Sequence, residues 1–181
     1  MNTSEIINSV RIWVESLVIT EGLCPFAHKE LEQDRVRFSV TSSSSEEALL
    51  RALTEEMERL LDDPAVETTL LIHPQVLQGF DDYNQFLDLA DALLEEQGLE
   101  GVFQIASFHP DYQFAGTESE DAENYSNRSP YPLLHLLREE SIEQAVASFE
   151  GIEAVPERNI RHLEKIGASE LQKRLLSCRL D

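Results

Sequence analysis

Two dipeptides carry the most chemistry in this chain. His73-Pro74 closes the apolar stretch "ETTLLIHP" (67–74), and His109-Pro110 follows "VFQIASF" (102–108), with Asp111, Tyr112 and Gln113 directly behind. Two imidazoles and a carboxylate make a donor set for zinc, iron or manganese with positions left open for water or substrate. A metal so held would activate water, and hydrolysis is the natural reaction. The same histidines also suit acid–base work without a metal, because the free imidazole titrates near neutrality. No H-E-x-x-H spacing accompanies them. Each histidine taken alone fits a plainer role, tying a strand end to a backbone carbonyl while Pro blocks further pairing. Their joint occurrence with Asp111 points to a site.

The segment after His109 adds polar side chains of a binding kind. In "NYSNRSPYP" (124–132), Arg128 is the lone cation beside Glu118, Glu120, Asp121 and Glu123. It suits either a salt bridge within its own loop or a bidentate clamp on a carboxylate or phosphate, with Asn127 and Ser129 adding hydrogen bonds. Tyr112, Gln113 and Asn124 would shape the pocket, and the polar loop 109–131 would act as its lid. His135, inside "LLHLL", reads as a satisfied core histidine that becomes a further metal ligand only if strand register carries it to the sheet edge. Cys24 begins "CPFAHKELEQ". There it would cap a short helix with Pro25 at the first helical position, and the helix dipole would favour its thiolate. A small packed thiol is the alternative for Cys24. Cys178, near the chain's end, reads as incidental.

The elements around these residues alternate between strand and helix. Apolar positions Ile6, Ile7, Val10, Val14, Leu17 and Val18 recur at helical spacing behind a cap at Thr3 or Ser4, and this helix stops near Gly22. Strands are expected at 36–40, 67–73, 102–108 and 133–138. One helix caps near Ser45 and ends before Pro64, another is closed by Gly98, and a tail from Val155 breaks near Gly167. Ser141 with Gln144 forms a capping box for a further helix. Trp13, Phe80, Phe86 and Phe103 are spaced as core anchors. The pattern gives a single α/β domain spanning 1–181, with a small mixed sheet flanked by helices. If 67–72 and 102–108 pair in parallel through their helix, His73 and His109 emerge at the same carboxyl edge, on strands about 4.8 Å apart. No crossover helix lies between Phe108 and Leu133, so the last strand runs antiparallel and returns the 124–132 loop to that edge.

Composition narrows the partners. The 181 residues hold 35 Asp and Glu against 14 Lys and Arg, a net charge of −21. Such a chain is repelled by nucleic-acid phosphates and by anionic membranes, so a small-molecule ligand or substrate is expected instead. No apolar run has membrane-spanning length, no signal peptide is read, and two cysteines far apart make no disulfide framework. A cytoplasmic location is the expectation.

Together, "LCPFA", "FHPDYQFAGT", "NYSNRSPYP" and "LLHLLRE" resemble the signature stretches of an uncharacterised bacterial family catalogued only as a domain of unknown function. The resemblance runs from Trp13 to about Ile166. It implies membership but no reaction, substrate or cofactor. The residues themselves point first to an enzyme acting on a small polar or anionic metabolite. His73, His109 and Asp111 would be its metal ligands or acid–base groups. A Cys24-dependent transferase or redox enzyme is one alternative, and a non-catalytic small-molecule or protein-binding module is the other.

Overall fold

Local signals set the helix boundaries. In a computed structural model describing residues 2–180, α1 spans Thr3–Trp13. Its cap is Asn2, one residue before the expected position. The Asn2 side chain accepts from the Ser4 amide at 3.2 Å, and the Asn2 N–H donates to Glu5 at 3.0 Å, so both orphan donors are satisfied. The helix continues into a π-helical turn, Val14–Ile19, and Gly22, at φ 65°, ends it. Next comes α2, Ala27–Glu32, capped by Phe26. Cys24 therefore lies two residues before the cap, and Pro25 is not the first helical residue; the helix-dipole argument for the thiolate does not hold.

The remaining elements are β1 (Val36–Val40), α3 (Glu46–Asp62), β2 (Thr68–Ile72), α4 (Phe80–Glu96), β3 (Phe103–Phe108), β4 (Leu133–Arg138), α5 (Glu139–Ser148), α6 (Val155–Ile166) and α7 (Ala168–Ser177). The Ser45 side chain accepts from the Ala48 amide at 3.2 Å, as expected for the cap of α3. In contrast, α5 starts directly off β4 at Arg138, which places Ser141 inside the helix. The capping box does not form, and the Gln144 amide donates to Glu140 instead.

The four strands form one mixed sheet in the order β1-β2-β4-β3. β1 and β2 are parallel, and β4 runs antiparallel to both β2 and β3. β2 and β3 thus point the same way, as expected, but β4 is inserted between them. Helices cover both faces. On one face, Ile6, Val10, Trp13 and Leu17 pack with Leu163 and Leu171 of α6 and α7 against Leu70, Ile72 and Leu133. On the other, Leu49, Leu53, Met57 and Leu60 of α3 and Tyr83, Phe86 and Ala90 of α4 pack against Leu71, Phe103, Leu134 and Leu136. Alternation along the strands assigns these faces. Cys178 is not at a frayed end: it is buried in the first core, its thiol donating to the Arg174 carbonyl at 3.2 Å. Among the described residues, no helix is long and apolar enough to cross a membrane.

Candidate functional site at the carboxyl edge

β2 and β3 deliver His73 and His109 to the same edge and the same face, toward α4. Both are 0% exposed. Because β4 intervenes, the rings do not meet. The Tyr83 ring stands in contact with both, its centroid 5.8 Å from that of His73 and 5.1 Å from that of His109. The Tyr83 hydroxyl donates to the Leu133 carbonyl at 2.8 Å and accepts from the Phe108 amide at 2.9 Å. Leu133 and Phe108 face one another in the register, so the hydroxyl bridges the end of the β3–β4 ladder.

The two histidines fasten one turn. His73 Nδ1 donates to the Val76 carbonyl at 3.1 Å, and His109 Nε2 donates to the Leu77 carbonyl at 3.2 Å. Leu77 sits at φ 56°, a left-handed conformation that costs a non-glycine residue roughly 1 kcal/mol or more. Burial of its side chain in the core under α4 and the imidazole on its carbonyl offset that strain. The other nitrogen of His109, Nδ1, accepts from the Asp111 amide at 3.0 Å. That bond fixes the tautomer and occupies both ring nitrogens. His73 Nε2 differs: it is buried and has no hydrogen-bond partner. Burial pushes the His73 pKa down to about 4, against the bond to Val76, and the nearby His109 lowers it further. Burial also holds His109 below the usual imidazole range, although its carbonyl bonds and Asp111 work the other way. Both rings are neutral at pH 7.

The polar loop is stitched to itself. Asn124, 0% exposed, accepts on Oδ1 from the Phe114 amide and the Thr117 hydroxyl, and its Nδ2 donates to the Glu118 carbonyl. Gln113 donates to the Thr117 carbonyl, Ser129 to the Tyr131 carbonyl, and Asn127 Nδ2 to the Ser107 carbonyl. Backbone bonds from His109 to Asn127 (3.2 Å) and from Ser129 to His109 (3.4 Å) lay residues 127–129 along the outer edge of the chain beyond β3. Arg128 donates to the carbonyls of Tyr112 at 3.1 Å and Ser119 at 2.7 Å, and its guanidinium lies 4.6 Å from the centre of the Tyr125 ring. Its bonds go to loop carbonyls, and among the described residues it forms no salt bridge with Glu118, Glu120, Asp121 or Glu123.

The expected metal set is not assembled. Asp111 meets His109 through its backbone, not its carboxylate, and His73 lies across Tyr83. Register puts His135 in mid-strand opposite Leu70 and Ala106, where it pairs with the Thr68 hydroxyl at 2.7 Å and burial lowers its pKa to about 4. Among the described residues, no group of three or more His, Cys, Asp or Glu side chains is placed to hold a metal. Cys24, half-buried in the turn before α2, has no hydrogen bond to any of these histidines among the described residues.

Two features escaped the sequence reading. One is Tyr83, whose helical spacing from Phe86 marks it as core but whose hydroxyl role depends on tertiary placement. The other is a charged cluster at the far side of the same face. There Arg37 reaches Glu56 with two bonds of 2.7 and 3.0 Å, and Ser39 donates to the same carboxylate at 2.9 Å. The alternation Arg37, Ser39 within β1 is the only sequence signal for it.

A family model described as "Protein of unknown function (DUF1415)" matches residues 5–173, and the chain belongs to that family. No curated protein and no solved structure matches it.

Proposed function

We propose that this protein is a recognition module that presents the carboxyl-edge loop 109–131 as a preformed surface. One observation carries the reading: the side chains a substrate would need, Arg128, Asn124, Asn127, Ser129 and both nitrogens of His109, are already committed to backbone partners. A loop bonded in this way is preorganised, so little ordering entropy opposes association. Two surface clefts lie elsewhere: one of about 280 Å³ is lined by Arg11, Glu15 and His28, and one of about 440 Å³ by Glu55, Arg59 and Asp62. The test is a thermal-shift screen followed by recovery of each stabilising compound. Ligands returned chemically unchanged after long incubation support the module; a compound consumed with turnover sinks it.

Catalysis on a small metabolite is the second reading, favoured by the buried, unpartnered Nε2 of His73. That lone pair would serve as a general base for a substrate that reached it. Turnover abolished by His73→Asn in a protein that still folds would establish it.

A further inference from the structure

From the two neutral histidines a strip of rings continues outward. Phe80 lies 5.5 Å from His109, Tyr112 lies 5.0 Å from Phe80, and Phe114 lies 5.0 Å from Tyr112, all between ring centroids. The inner members, His73, Tyr83 and His109, are buried, whereas Phe80, Tyr112 and Phe114 are only partly so. Successive outer rings are tilted by 55° and 64°, so they do not stack flat on one another, and each stays partly exposed. A ring face carries negative charge density and attracts a cation.

The surroundings have the same sign. Asp81 and Asp82 next to Phe80, Asp111 next to Tyr112, and Glu118 and Glu120 beyond Phe114 are exposed. No Lys or Arg occurs between Arg59 and Arg128. Arg128 is turned onto the Tyr112 and Ser119 carbonyls and the Tyr125 ring. Apart from Arg128, whose charge rests on those carbonyls, the exposed charged side chains flanking the strip in sequence are acidic, and they favour a positive ligand over an anionic one.

We infer that the strip Phe80–Tyr112–Phe114 docks an arginine-bearing segment of a partner protein, the guanidinium lying against the rings and the carboxylates drawing it in. This rests on the recognition reading and names its partner. Guanidinium fits better than ammonium because it is planar, weakly hydrated and able to stack. An open strip rather than an enclosed cavity suits a side chain carried on an extended segment.

Titrating the full-length protein with an alternating Arg-Gly peptide and with its uncharged citrulline-Gly analogue, followed by amide NMR, tests the inference. The expected result is binding of the Arg peptide alone, with shifts centred on residues 80 and 111–117. Affinity should drop several-fold in Tyr112→Leu and in Phe114→Leu, which keep apolar bulk but remove the ring face. Asp62→Asn, remote from the strip, should bind as the parent does. Two variants guard against misfolding, and a parent-like spectrum outside the loop qualifies each. Shifts spread over the acidic surface, or affinity untouched by both Leu variants, would mean diffuse charge attraction and overturn the inference while leaving the recognition reading in place. Equal binding of the citrulline peptide would overturn the cationic partner but uphold recognition. Failure of the recognition reading itself appears separately, as turnover.

Discussion

Two polar assemblies lie on the α3–α4 face of the sheet, one half-buried around Glu56 and one fully buried, and they solve the same problem in opposite ways. Near β1, Arg37 and Glu56 keep their charges: a fork of two bonds from the guanidinium and one from the Ser39 hydroxyl satisfies the carboxylate. At the carboxyl edge, His73, Tyr83 and His109 discard charge and use backbone carbonyls and amides as partners. The difference follows from what each group can do when desolvated. Arginine cannot give up its proton, so its burial demands a partner. Histidine can, so burial simply neutralises it. The charged assembly is a fastening between β1 and α3. The neutral one is the foundation of the candidate surface.

Acid should separate the two by pH window, and this is the largest effect expected. His73 binds its proton at about 4 when folded, against 6.5 for a free histidine, so between those values the unfolded chain holds more protons. Its contribution is complete above pH 6.5 and falls as pH drops toward 4, by roughly 3 kcal/mol. Urea unfolding measured at successive pH values should show that decline, and His73→Phe should remove its share of it, leaving the shares of His109 and His135, whose burial also lowers their pKa. Glu56 acts lower. Burial raises its pKa, but the bonds from Arg37 and Ser39 outweigh burial and hold it below 4.5, so its contribution is lost only as pH falls below that value. A stability curve flat from pH 7 to 5 would remove the neutral-histidine account.

Arg37→Met comes next. It removes both guanidinium bonds from the buried Glu56 carboxylate, which keeps the Ser39 hydroxyl and Arg59 at 3.9 Å, and about 2 kcal/mol of unfolding free energy should disappear at neutral pH. In this variant the loss should shrink in acid, where Glu56 takes up a proton; a loss independent of pH would show that packing, not charge, was removed. Tyr83→Phe should cost less, about 1–2 kcal/mol, because it deletes a hydroxyl bridging two backbone groups that face each other and can partly re-pair. Faster amide exchange at Phe108 would localise the effect. Asn127→Ala is the smallest, near 1 kcal/mol. It frees the Ser107 carbonyl and loosens residues 127–129, and it should leave the histidine pH profile unchanged.

Much of this was legible because it is local. β1 at 36–40, the Ser45 cap and the breaks at Gly22, Gly98 and Gly167 follow from side-chain periodicity and turn chemistry within a few residues. The return of the 124–132 loop followed from the missing crossover helix. Strand order did not follow, because β4 could pair outside β3 or between β3 and β2, and no local signal distinguishes them. That one choice separates His73 from His109 by a strand and admits Tyr83 between them.

The sequence by itself determined that this is one α/β domain, strongly acidic, with His73, His109 and a polar loop gathered at one edge. It could not determine what those polar groups bond to, since each donor had several acceptors within reach of an unfolded loop. Packing decided that. With β4 in the middle of the sheet, the carbonyls of Val76, Leu77, Tyr112 and Ser119 became the nearest partners of His73, His109 and Arg128. Buried polar groups must find partners where they stand, and here those partners were backbone.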